Sequence, residues 1–207
     1  MIAALRTLFL SAFLLSAFCA PAYASVSLSE ADVQKFVSAI GDVEAFSEQM
    51  QKEGKNEELE KAIAPKSGDD TFQPYEKGVV YMKEKLPEDY KKLGAISNKH
   101  GFASQEDWAK ISDSVMHAYM ALRFERDNPN ALQQLRDITP EMKAQLPPPA
   151  LAQLERQAGI LKSLNSIPPA NKEAVKPHGA KIDEWLARAE EKDKQTEGKP
   201  APTPAAH

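Results

Sequence analysis

Apolar residues in this chain recur at intervals of three and four, and nowhere does apolar–polar alternation persist long enough to build a strand. That period predicts an all-α fold. The strongest stripe comprises Trp108, Ile111, Val115, Ala118, Tyr119 and Leu122. At 100° per residue these six fall within an arc of roughly 100°, the width of a core-facing surface. Ser104 is placed as N-cap with Asp107 at N3, and Asp127-Asn128-Pro129 ends the helix.

The same reading divides the rest of the chain. Ser29 as N-cap, Asp32 at N3 and a Leu28–Val33 hydrophobic staple start a helix with Val33, Phe36, Val37, Ile40 and Val43 as its stripe. Phe46 and Met50 drift around that stripe before Gly54 stops the helix. A short piece from Glu57 to Ala64 stops at Pro65, and a loop through Ser67-Gly68-Asp69-Asp70 follows. A helix from Pro74 to Leu86 carries Tyr75, Val79 and Met82, and Pro87 is N1 of the next, which ends at Lys99, His100 and Gly101. Beyond Pro129, a turn of helix near Asn130 to Arg136, a start at Thr139-Pro140 and a Leu151, Leu154, Ala158, Leu161 helix are expected. Pro168-Pro169 opens a further segment, Pro177 kinks or breaks it, and Ile182, Trp185 and Leu186 close the folded part. The expectation is a single compact bundle of about six or seven helices over residues 25–190. Residues 191–207, rich in Lys, Glu, Pro and Ala without apolar anchors, are expected to be a disordered tail.

Residues 1–24 have the layout of a cleaved signal peptide. Arg6 is followed by an apolar run from Leu8 to Phe18 and the small-x-small site Ala22-Tyr23-Ala24, which predicts cleavage before Ser25. The run is about half the length of a membrane span, so a soluble exported protein, periplasmic in a bacterium, is expected. The one cysteine of the chain, Cys19, lies in this leader. Bulky Phe18 before it argues against lipoprotein processing, and cleavage removes every thiol, and with it disulfides, zinc–cysteine sites and thiol catalysis. The 26 Lys and Arg stand against 30 Asp and Glu, scattered among one another, so nothing draws the chain to nucleic acid phosphates or anionic lipid.

No serine-hydrolase elbow, HExxH, phosphate loop or dinucleotide fingerprint occurs, and 9 glycines leave little backbone for such loops. The histidines His100, His117, His178 and His207 are not at ligand spacing from one another. His100, at a helix C-terminus, is accounted for by the helix dipole. The carboxylate runs Glu57, Glu58, Glu60 and Asp69-Asp70 read as solvated surface. No catalytic residue and no cofactor is assigned.

One feature is more specific. Met116, Met120 and Phe124 recur every four residues on the Ser104–Arg126 helix, roughly 80° to 160° from Trp108, giving that helix two apolar faces. A central helix packed on both sides explains this with Met as gap-filler. With Tyr119 nearby, the same face suits an adaptable groove for an apolar ligand or a protein partner. Met116, His117 and Met120 also offer two thioethers and an imidazole, a donor set suited to Cu(I), although a fourth ligand would be needed.

Ile138-Thr139-Pro140-Glu141-Met142 resembles the Leu-Thr-x-x-Gln signature of small α-helical periplasmic stress chaperones of the Spy and CpxP type, departing at its first and last positions. Leu28-Ser29-Glu30-Ala31-Asp32 is similar in the same partial way, and both strings also serve as N-caps. The sequence thus predicts an exported, non-enzymatic helical protein that binds a protein partner or apolar ligand through Met116, Tyr119, Met120 and Phe124, and the resemblance implies chaperone-like binding. The alternative is a periplasmic Cu(I) carrier using Met116, His117 and Met120.

Overall fold

The computed structural model describes residues 26–64, 73–130 and 163–197, with side chains as far as Lys192, and isolated positions between 131 and 162. Seven α-helices have both ends among the described residues: α1 (Glu30–Lys52), α2 (Asn56–Ile63), α3 (Pro74–Lys85), α4 (Pro87–Lys99), α5 (Gln105–Asp127), α6 (Pro169–Val175) and α7 (Gly179–Glu197). A 3-10 turn, Lys176–His178, joins the last two at Pro177, where a break was expected. No strand occurs among the described residues, and the fold is an all-α bundle.

Local chemistry sets the helix ends. The Ser29 hydroxyl accepts the Asp32 N–H at 3.2 Å, and the Asp32 carboxylate accepts the Ser29 N–H at 3.1 Å, a complete capping box over the buried Leu28–Val33 staple. On α5 the Ser104 hydroxyl accepts the Asp107 N–H at 3.1 Å, while Asp107 reaches back to the Ala103 N–H at 3.1 Å. Both helices that stop at glycine do so by the same device. Gly54 (φ 72°) donates to Gln51 C=O and Lys55 to Met50 C=O, each at 3.0 Å. Gly101 (φ 82°) donates to Asn98 C=O and Phe102 to Ser97 C=O, each at 3.1 Å. These are Schellman closures, and the left-handed residue is glycine because a Cβ there meets the following carbonyl.

The centre of the bundle is α5, in contact with α1, α3, α4 and α6. Every residue from Ile111 to Tyr119 is buried. A helix enclosed on all sides needs apolar or small residues all round, which explains its two apolar faces. Two long-range clamps hold its neighbours in place. The Asp113 carboxylate on α5 accepts the N–H groups of Tyr75 at 3.2 Å and Glu76 at 3.0 Å, capping α3, whose own N-cap Gln73 makes no side-chain capping bond. Burial pushes the Asp113 carboxyl well above the usual range, and the two amide bonds pull it the other way. Asn171 on α6 accepts the Leu28 N–H at 2.9 Å and donates to Val26 C=O at 2.8 Å, fastening the extended segment before α1.

The last helix corrects one expectation. Helix α7 continues to Glu197, past the point near Glu191 where a disordered tail was expected to begin. The added turns are Glu, Lys, Asp, Gln and Thr without Gly or Pro until Gly198, and Lys192 pairs with Glu48 of α1 at 3.1 Å. The leader (1–24), the end of the tail (198–207), the Ser67–Asp70 loop and the helices expected between 131 and 162 lie outside the described residues. Among the described residues no helix is long and apolar enough to cross a membrane.

Candidate functional site

Between α1, α2, α3, α4, α5 and α7 the bundle leaves a cavity of about 140 Å³. Its deep end is formed by Met50, Ile63, Tyr75, Leu93 and Trp108, all buried. Tyr75 and Trp108 meet edge to face, ring centroids 5.4 Å apart at 87°. Both tryptophans of the chain line this space, Trp108 inside and half-buried Trp185 towards the opening.

The sequence builds it from small residues set among large ones. On α1, Phe36 and Phe46 flank Ala39, while Ile40 and Val43 stay half-buried because the cavity is what they face. On α3, Gly78 lines the wall, and a Cβ added there would lie 3.7 Å from Ile63 Cγ2, in ordinary contact. On α7, Trp185, Ala189 and Lys192 follow one another at i, i+4 and i+7 and so share a face. The first turns of α7 are held by buried Ile182 and Leu186, and Trp185 packs edge to face on Phe36 at 6.1 Å.

The opening is polar. Glu44 and Glu48, one turn apart on α1, face Lys192, whose Nζ is 3.9 Å from the first and 3.1 Å from the second. Their side chains are 25%, 34% and 43% exposed, against 5% or less for Trp108 and Leu93, so charge marks the mouth and hydrocarbon the interior.

The residues singled out from sequence lie elsewhere. Met116 and Tyr119 are each 3% exposed in the core, and Met120 and Phe124 pack half-buried against it. None of the four lines the cavity. The Tyr119 hydroxyl donates to Asp183 at 2.5 Å, and burial together with that carboxylate pushes the phenol up to about 12. His117 is buried as well, so two of the three donors considered for Cu(I) sit in the core of the bundle. The face is thus largely built into the core and is not an open groove.

A Ser–His–Asp set that sequence spacing did not bring out forms between α1 and the end of α4. His100 Nε2 is 2.6 Å from Asp42 and Nδ1 is 3.1 Å from the Ser38 hydroxyl. The Ser38 hydroxyl also has Lys35 C=O within reach at 2.8 Å, a backbone acceptor that competes with the imidazole for its proton. Ser38 also lies inside a helix, where backbone N–H groups are committed to the ladder and supply no oxyanion hole. With Lys99 on Asp42 at 2.6 Å, the set ties α4 to α1.

No family model, curated protein or solved structure matches this chain. The site therefore stands on its own geometry. Sequence reasoning missed it because its lining is spread over six helices, down to Leu93 alone from α4 and Trp108 alone from α5, and its apolar members are indistinguishable from core. The one available signal was the spread of α1's apolar residues, Phe46 and Met50 included, over more than one face.

Proposed function

We propose that this protein binds a small apolar ligand in this six-helix cavity, as an exported, non-enzymatic carrier or sensor. The observation that carries the reading is the cavity itself: a largely hydrocarbon-lined space of about 140 Å³ with a charged mouth. Protein interiors ordinarily close such spaces, and an engineered apolar cavity of about 150 Å³ stays dry and takes up benzene. The size therefore suits a single ring or a short branched chain. Export is supported by the leader-like residues 1–24 and by the absence of cysteine after them.

Benzyl alcohol is the direct test. A ligand of this size is expected to bind with Kd on the order of 0.1–1 mM. Ligand at about 10 mM, roughly 10- to 100-fold over Kd, should alter tryptophan fluorescence and raise the Tm by several degrees, the stabilisation being about 1.4–2.7 kcal/mol. No change in either signal at millimolar alcohol would reject the reading. Export is tested separately, by recovering from the cell envelope a chain that begins at Ser25.

A further inference from the structure

We propose that the ligand is an organic ammonium ion, its hydrocarbon part in the cavity and its charge at the Glu44–Glu48 mouth. This rests on the cavity-binding reading above and names the class of ligand. Three observations converge on it. The two carboxylates project from one rigid helix at i and i+4, where like charges repel and a cation between them is favoured. Lys192, the one cation among the described residues lining the cavity, already sets an ammonium group in that position from the far end of α7. The approach from the mouth is also lined with aromatic rings, Phe36, Phe46 and Trp185 leading inward to Tyr75 and Trp108.

Carboxylates pair with cations and aromatic faces attract them, whereas an anion would meet two like charges at the mouth. An incoming ammonium group replaces the Lys192 ammonium between Glu44 and Glu48, and the freed lysine, already 43% exposed, turns into water. An anionic head would have only Lys192 to pair with and would lie beside two carboxylates. A neutral head gains neither pairing nor repulsion. Charge therefore sets the order of affinity while the ring supplies binding common to all three.

A matched series separates these terms: benzylamine as its ammonium ion, benzyl alcohol and phenylacetate, titrated calorimetrically into the protein at neutral pH and low salt. The ammonium ion is expected to bind roughly three- to tenfold more tightly than the alcohol, and phenylacetate more weakly than either. The preference should shrink with added salt, as screening requires. Glu44→Gln with Glu48→Gln should abolish it, so that benzylamine and benzyl alcohol bind that variant equally, and its thermal unfolding transition shows that it is folded. Lys192→Gln should tighten ammonium binding several-fold by removing the competing cation. Phenylacetate binding as tightly as benzylamine, or an ammonium preference that survives in the doubly substituted protein, would overturn the proposal with the cavity reading intact. Failure of all three compounds to bind would overturn both. Self-association that competes with benzyl alcohol would assign the mouth to a second copy of the chain and defeat the ammonium assignment.

Discussion

Replacing Asp113 by alanine tests whether α3, and with it one wall of the cavity, is held from α5. Asp113 is 3% exposed and accepts two N–H groups, those of Tyr75 and Glu76, from the first turn of α3. Pro74 at N1 has no N–H to satisfy, and Gln73 provides no side-chain cap, so the acceptors for this helix start come from Asp113. Removing the carboxyl group strands two backbone donors at a site closed to water, at about 1–3 kcal/mol each. Against this, the variant no longer buries a carboxyl group, which offsets part of the loss. The net expectation is a destabilisation of about 2–4 kcal/mol, or roughly 4–16 °C in Tm for a chain of this size.

Denaturant unfolding followed by tryptophan fluorescence reads this directly, because Trp108 packs edge to face on Tyr75. The slope m should be unchanged while the midpoint falls. Asp113→Asn should also destabilise, since its amide presents one acceptor oxygen and sets an NH2 group against the second backbone donor. Weaker benzyl alcohol binding should accompany both, as Tyr75 and Pro74 line the cavity. A loss below about 1 kcal/mol in Asp113→Ala would refute the claim that this carboxylate, and not the packing of α3 alone, sets the helix start.

Three further outcomes follow from the same structure. Gly78→Ala should stabilise by up to about 1 kcal/mol in thermal unfolding, because alanine is the better helix former and its Cβ finds ordinary contact distances. Asn171→Ala should cost about 2 kcal/mol, and hydrogen exchange of the Leu28 amide, whose acceptor is lost, should accelerate well beyond that of the α5 interior. Glu106 accepts from the Tyr90 hydroxyl, which, with Lys83 at 3.1 Å, holds its carboxyl down to about 2. Its folded value lies below its unfolded one, so its stabilisation is present above about pH 4.5 and lost as pH falls towards 2. With the side chain 40% exposed the effect is held to about 1 kcal/mol, and Glu106→Gln should flatten the acid limb of a stability–pH curve by that amount.

What could be read from the sequence is local, and what could not is long-range. Ser29 and Ser104 cap their helices, Gly54 and Gly101 end theirs, and Pro74, Pro87 and Pro169 begin theirs, because each signal acts within five residues of itself. The central position of α5 was legible from its two apolar faces. The choice among core, groove and copper readings of those faces was not, because burial depends on what packs opposite. Asp113 on the start of α3, Asn171 on the segment before α1 and His100 on Ser38 and Asp42 pair residues far apart in the chain, beyond the reach of any periodicity. The end of α7 was misjudged for a related reason: composition alone reads Glu- and Lys-rich turns as solvated coil, whereas Lys192 has Glu48 across the bundle to pair with.

The cavity also has a thermodynamic consequence that a filling substitution exposes. An unfilled space of about 140 Å³ lowers stability by up to about 3 kcal/mol if it is dry, at roughly 24 cal/mol per Å³. That is a large fraction of the 5–15 kcal/mol that holds a typical domain together. Ala39, 1% exposed on the cavity wall of α1, is the position from which a larger side chain would enter that space. Ala39→Leu should therefore raise the Tm and remove the further rise caused by benzyl alcohol, because ligand and leucine occupy the same volume. A solvated cavity would give a smaller gain in stability but the same loss of binding. A variant that folds with unchanged Tm and still takes up the alcohol would show that the space does not serve as a ligand site, whatever its shape.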